Sequence, residues 1–102
     1  MKLTLPHDEI AAFCRKWNVS EFALFGSVLR DDFRPDSDVD VLLTFAPESR
    51  ISLFDFPDMK EELETIFARK VDVLSRRGVE QSRNWIRKKA ILGTAQVVYG
   101  NA

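Results

Sequence analysis

The chain holds one cysteine, one histidine, four glycines and four prolines in 102 residues. A lone thiol, Cys14, excludes an internal disulfide and any zinc site built on cysteines. His7 stands alone near the start and is read as incidental. Neither sign of charge dominates, because fifteen Lys and Arg face sixteen Asp and Glu for a formal charge of -1. That balance gives no strong nucleic-acid signal. No apolar run approaches the roughly 20 residues needed to span a bilayer. The opening "MKLTLPHDEI" meets a proline and then acids before a signal-peptide core could form, so a cytoplasmic protein without a membrane anchor is expected. There is no repeat, linker or low-complexity stretch. What is present, 45% hydrophobic and 30% charged residues, is the composition of a folded chain and not of a disordered tail. The length predicts a single domain over residues 1–102 with a modest core.

Periodicity then orders the chain. Ile10, Phe13, Cys14 and Trp17 recur at helical spacing, which predicts a helix over 8–17 with Asp8 as its N-cap and Asn18 as its stop. "EFALF" (21–25) reads as a short buried strand ended by Gly26, and "SVLRDDF" as one or two helical turns closed by Pro35. "DVDVLLTFA" (38–46) is the strongest strand signal. Met59, Leu63, Ile66 and Phe67 share one face of a helix that starts near Phe56, with Asp55 as cap and Pro57 in the first turn. "KVDVLS" (70–75) predicts another strand, residues 80–92 a basic helix ended by Gly93, and "QVVY" a last strand. Alternating helices and strands imply an α/β fold, a small mixed sheet with helices packed against it.

Three acids do not fit a buried sheet. Residues i and i+2 of a strand share a face, so Asp38 and Asp40 project together while Val39 and Val41 turn into the core. Asp72, between Val71 and Val73, is the third. If the two strands pair, the three carboxylates can converge. Two like charges about 4 Å apart repel by roughly 4 kcal/mol at an effective dielectric of about 20, so such a cluster implies a cation. Hard oxygen ligands suit Mg²⁺, and two such ions could clamp an in-line phosphoryl displacement. Alone, Asp38 could cap a strand end and Asp72 could stand on an exposed edge. Together, after a Gly-Ser turn, they point to a site. Gly26 lets backbone approach a ligand closely, a following helix offers N–H groups to an anion, and the Ser27 hydroxyl serves a phosphate oxygen, an N-cap, or both.

The pattern Gly26-Ser27, Arg30, Ser37-Asp38-Val39-Asp40 and later Asp72 resembles the signature of the DNA polymerase β-like nucleotidyltransferase superfamily. The short length and the "DVDVLL…KVDVLS" layout are most similar to the minimal nucleotidyltransferases (MNT), commonly encoded beside a HEPN-domain partner as a toxin–antitoxin pair. The resemblance implies a polymerase β-like core and Mg²⁺-dependent transfer of AMP from ATP to a hydroxyl acceptor on a HEPN-domain toxin. It also implies that Asp38, Asp40 and Asp72 are catalytic and hold the metals, with Asp72 helping to activate the acceptor. Gly26, Ser27, Arg30 and Ser37 would bind the nucleotide. Arg30 could equally pair with Asp31, Asp32 or Asp36. Asp31 departs from the glycine common after that arginine, which places extra negative charge near the triphosphate.

Two rival readings stay open: a non-catalytic antitoxin that masks its partner, and the catalytic half of a split small-molecule nucleotidyltransferase. Arg76, Arg77, Arg83, Arg87, Lys88 and Lys89 form the main basic concentration, read either as a solvated helix face or as a docking surface. Trp17 and Trp85 are expected as core or interface anchors, and Phe54 and Phe56 as core or a partner-facing patch.

Overall fold

A computed structural model of the protein describes residues 5–26 and 38–100. Its centre is β1 (Val19–Phe25) and β2 (Val39–Phe45), two seven-residue strands with buried positions on both faces. β1 pairs antiparallel with β2, and β2 pairs in parallel with β3 (Val71–Ser75). A parallel neighbour requires a crossover, which α2 (Phe56–Phe67) supplies. β4 (Gln96–Gly100) closes the other edge antiparallel to β1, giving the order β3-β2-β1-β4. This is the mixed sheet with packed helices that the sequence implied.

One face carries the main core. Val39, Val41 and Leu43 of β2 are fully covered, as are Phe22 and Leu24 of β1. α1 (His7–Trp17) lays Ile10 and Phe13 on them, and α2 adds Met59, Leu63 and Phe67. Phe13 meets Phe22 edge-on at 6.1 Å, and Phe22 stacks on Phe67 at 6.3 Å. Cys14 is sealed in this layer, where burial pushes its thiol up to about 12, so it stays protonated and is no nucleophile at neutral pH. Glu62 ties the two helices together outside, accepting from Lys16 Nζ and Trp17 Nε1, each at 2.7 Å. Trp17 is thus an inter-helix anchor.

The opposite face holds a smaller cluster: Ala23, Phe25 and Leu42 under Val79 and Ile91. Val79 comes from α3 (Arg76–Glu80) and Ile91 from α4 (Trp85–Thr94). The basic helix expected over 80–92 starts later, at Trp85, and a separate short helix, α3, precedes it. The Ser75 hydroxyl accepts from Gly78 N at 3.0 Å and caps α3, while Asn84 Oδ1 accepts from Arg87 N at 3.1 Å and starts α4 afresh. Caps so placed reset the helical phase. Trp85, expected as a core or interface anchor, is no part of the core, since it and Ile86 point outward at 68% and 66% exposure. Gly93 does not end α4, which runs on to Thr94, because a glycine inside a helix costs only about 1 kcal/mol.

Two caps expected from sequence act differently. α1 begins one residue earlier, at His7 after Pro6, with Asp8 in its first turn, where a carboxylate favours the helix dipole without a cap bond. Asp55 precedes α2, but its Oδ2 accepts from Ser52 N at 2.9 Å and holds the single turn Leu53–Asp55. Asn18 does end α1, in the left-handed region at φ 56°, with its N–H donating to Cys14 O.

Candidate functional site

Strand register sets the acids. Asp40 stands opposite Asp72 across the parallel pair β2–β3, so their side chains leave the same face of the sheet from strands about 4.8 Å apart. The starts of both strands are fastened. Val39 N donates to Lys70 O at 2.9 Å, and Val71 N donates to Glu64 Oε2 at 3.0 Å. Glu64 on α2 thereby fixes the residue next to Asp72, a positioning role with no obvious sequence signal, since Glu64 reads as one more surface acid. Asp40 is half-buried, while Asp38 and Asp72 are exposed.

Gly26 forms the other wall. Phe25 pairs with Asp40 across β1–β2, and Gly26 follows at φ +75°, a conformation open to glycine and costly to other residues. A Cβ built on Gly26 would land on Oδ2 of Asp40 and lie 3.3 Å from its Cγ. The chain thus leaves β1 with bare backbone held against the central carboxylate. A larger residue would both strain the turn and fill the space beside the acid.

The structure brings Gly26, Asp40 and Asp72 to one corner, with Asp38 two residues before Asp40. It does not draw the side chains into a metal cage: among the described residues no three His, Cys, Asp or Glu gather closely enough to hold an ion. Like charges supply no force of their own for such closure. The oxygen-only donor set and the shared sheet face suit Mg²⁺ and exclude the nitrogen and thiolate sites preferred by zinc. Ser27, Arg30 and Ser37 lie outside the described residues, as does the expected helix of "SVLRDDF".

Two clefts open beside α3. One, of about 390 Å³, is floored by Leu74, Val79 and Ile91 and flanked by Arg87 and Lys88. The other, of about 540 Å³, lies at the far end of the strands among Phe45, Ile51, Leu53, Arg76 and Arg77. Phe56 and Ser75 line both. Arg76 is held at Glu21, 3.4 Å away, and at Glu80, 3.7 Å away. Among the described residues no helix is long and apolar enough to cross a membrane.

With this geometry in place, comparison with known proteins is direct. The family model described as "Nucleotidyltransferase domain" matches residues 9–98, and the chain belongs to that family. The protein adenylyltransferase MntA of Thermococcus cleftensis is 37% identical over 59 residues, covering 58% of this chain and 58% of that protein. The matched stretch thus spans under two thirds of that relative's length. A toxin–antitoxin crystal structure with AMP-PNP superposes with a TM-score of 0.73 at 17% identity, covering 95% of this chain and 75% of that one. A complex of tri-AMPylated Shewanella oneidensis HEPN toxin with its MNT antitoxin gives a TM-score of 0.65 at 16% identity, covering 93% and 70%. At those identities the two structures show a shared fold and nothing beyond it.

Proposed function

We propose that this chain transfers AMP from ATP to a hydroxyl of a HEPN-domain partner and thereby acts as the antitoxin of a toxin–antitoxin pair. The observation that carries the reading is the corner where Gly26 backbone abuts the Asp40 carboxylate and Asp40 faces Asp72. The adenylyltransferase relative and the AMPylated HEPN complex support it. In the transfer, the acceptor oxygen bonds to the α-phosphorus, the bond to the bridging oxygen breaks, and pyrophosphate leaves. Asp72, exposed at the start of β3, takes the acceptor's proton. Bare backbone at Gly26 lets the triphosphate lie close to Asp40, with Ser27, Arg30 and Ser37 as its further ligands. Asp38, Asp40 and Asp72 would hold Mg²⁺, which when bound neutralises charge on the phosphates.

A second reading, masking without chemistry, is favoured by one observation: the three acids do not gather as a ligand set in this conformation. One experiment separates the two. The double variant Asp38→Asn, Asp40→Asn keeps size and shape but removes two charges. It should bind the HEPN partner in a pull-down, leave it unmodified by intact mass, and lower transfer of labelled AMP by orders of magnitude. Co-expressed at matched levels, it should fail to protect cells. Full protection by this variant without a mass shift would overturn the catalytic reading.

A further inference from the structure

Four large apolar side chains stand in water near the two clefts. Leu53 and Phe54 are 82% and 91% exposed, and Trp85 and Ile86 are 68% and 66% exposed. Leu53 lines the larger cleft, and Arg87 and Lys88, directly after Ile86, flank the smaller one. Because Phe56 and Ser75 line both clefts, the two recesses form one groove with apolar residues at either side. Exposed apolar groups clustered within a polar rim mark an interaction surface. The rim here has one sign. Residues 76–89 carry six cations, Arg76, Arg77, Arg83, Arg87, Lys88 and Lys89, against one carboxylate, Glu80. Glu80 is engaged with Arg76, while the other five cations make no ion pair among the described residues.

We propose that this groove, with Phe54 exposed next to the lining residue Leu53 and Trp85 exposed two residues before the lining residue Arg87, docks an acidic surface of the protein that receives AMP. The identity of that occupant rests on the function proposed above; the groove and its charge do not. A second copy of the chain is a poor fit. A symmetric dimer sets the same patch against itself, so cations would face cations. The acidic helix α2 offers no matching anchors, since Met59, Leu63 and Phe67 are buried in the core, Glu62 is held by Lys16 and Trp17, and Glu64 is held by Val71 N. Docking here is separable from chemistry. Ser75, which lines the groove, lies three residues along β3 from Asp72, about 10 Å at strand rise. A bound partner lies beside the acid corner and leaves room for a nucleotide.

The test uses the full chain and the purified HEPN-domain protein of the same genome. Phe54→Ser with Trp85→Ser should weaken binding by at least about 30-fold, as loss of buried aromatic anchors does. Arg87→Glu with Lys88→Glu should weaken it by about tenfold and flatten its dependence on salt. Melting temperature and ATP affinity should match the parent in both variants, because the altered side chains lie outside the core and the acid corner. If the parent binds, the variants do not, and none transfers AMP, docking stands and the transfer reading falls. If the variants bind and are active like the parent, the groove is not the dock, and transfer stands. Failure of the parent to bind the HEPN protein overturns the assigned occupant. So does parent self-association in ultracentrifugation that the aromatic variant abolishes, or binding of a labelled single-stranded RNA that the charge variant alone abolishes.

Discussion

The two faces of the sheet divide the work of the molecule. On one, α1 and α2 seal a continuous layer from Ile10 to Phe67, and Val39, Val41 and Leu43 of β2 are lost to solvent there, with Phe45 partly covered at the strand end. On the other, the five-residue α3 and ten-residue α4 bury Ala23, Phe25 and Leu42 and half-bury Leu74, leaving Asp40 and Asp72 at the margin. Alternation along β2 serves both faces with one strand, since each apolar residue that anchors the core orients the acid beside it. The sealed face holds the fold in place, and the incomplete face is free to carry charge. A carboxylate at 39 or 41 would be buried without a partner, whereas at 40 it sits on the open side.

The largest test of that division is at Gly26. Gly26→Val strains a turn at φ +75° and drives a branched side chain into the Asp40 carboxylate. ATP affinity by calorimetry should collapse by about 100-fold or more, while the far-UV spectrum stays that of the parent. Unchanged affinity would remove this corner from the nucleotide site and leave the acids without a phosphate cradle. Next in size is a matched pair of core deletions. Leu63→Ala, in the sealed layer with no exposure, should cost about 3 kcal/mol by urea unfolding, within the range of buried leucine deletions. Leu74→Ala, half-buried under the short helices, should cost about 1 kcal/mol, because less apolar surface returns to water. Equal losses would mean that both faces support the fold alike.

Sequence resolved one face better than the other, for the same reason. Ile10, Phe13, Leu63 and the valines of β2 follow regular periods because they pack against a continuous layer, so α1, α2 and the strands were legible to within a residue or two. The acids at 38, 40 and 72 were legible as violations of those periods. The register that sets Asp40 opposite Asp72 required only that two such strands be neighbours. Residues 76–94 were harder to read because Trp85, Ile86, Ala90 and Ile91 spread over about 240° of helix circumference and form no single stripe, and only Ile91 is buried. Ser75 and Asn84, both cap-forming residues, held the signal for two helices. Outward-facing Leu53 and Phe54 had no period to break. Only their place next to the larger cleft, which Leu53 lines, gives them meaning.

The smallest expected effect lies where the sealed layer meets the site. α2 ends at Ala68, which adopts φ 55° and ψ 38°, and the chain then passes through Arg69 and Lys70 into the strand that bears Asp72. A left-handed conformation crowds Cβ against the following carbonyl and costs an L-residue about 1–2 kcal/mol. Glycine removes that crowding but adds about 0.4–1 kcal/mol of chain entropy to the unfolded state. The difference favours Ala68→Gly by about 0.5–1 kcal/mol, a rise of roughly 3–5 °C in melting temperature for a domain of this size. Asn18→Gly at the end of α1 should gain less, because asparagine tolerates the left-handed region at φ 56° through local hydrogen bonding. ATP affinity should not change in either variant, since Val71 stays tied to Glu64 and the register of Asp72 is set by β2. Should Ala68→Gly stabilise the chain and also weaken nucleotide binding, the turn after α2 would be part of the site, and the division between the two faces would fail at that point.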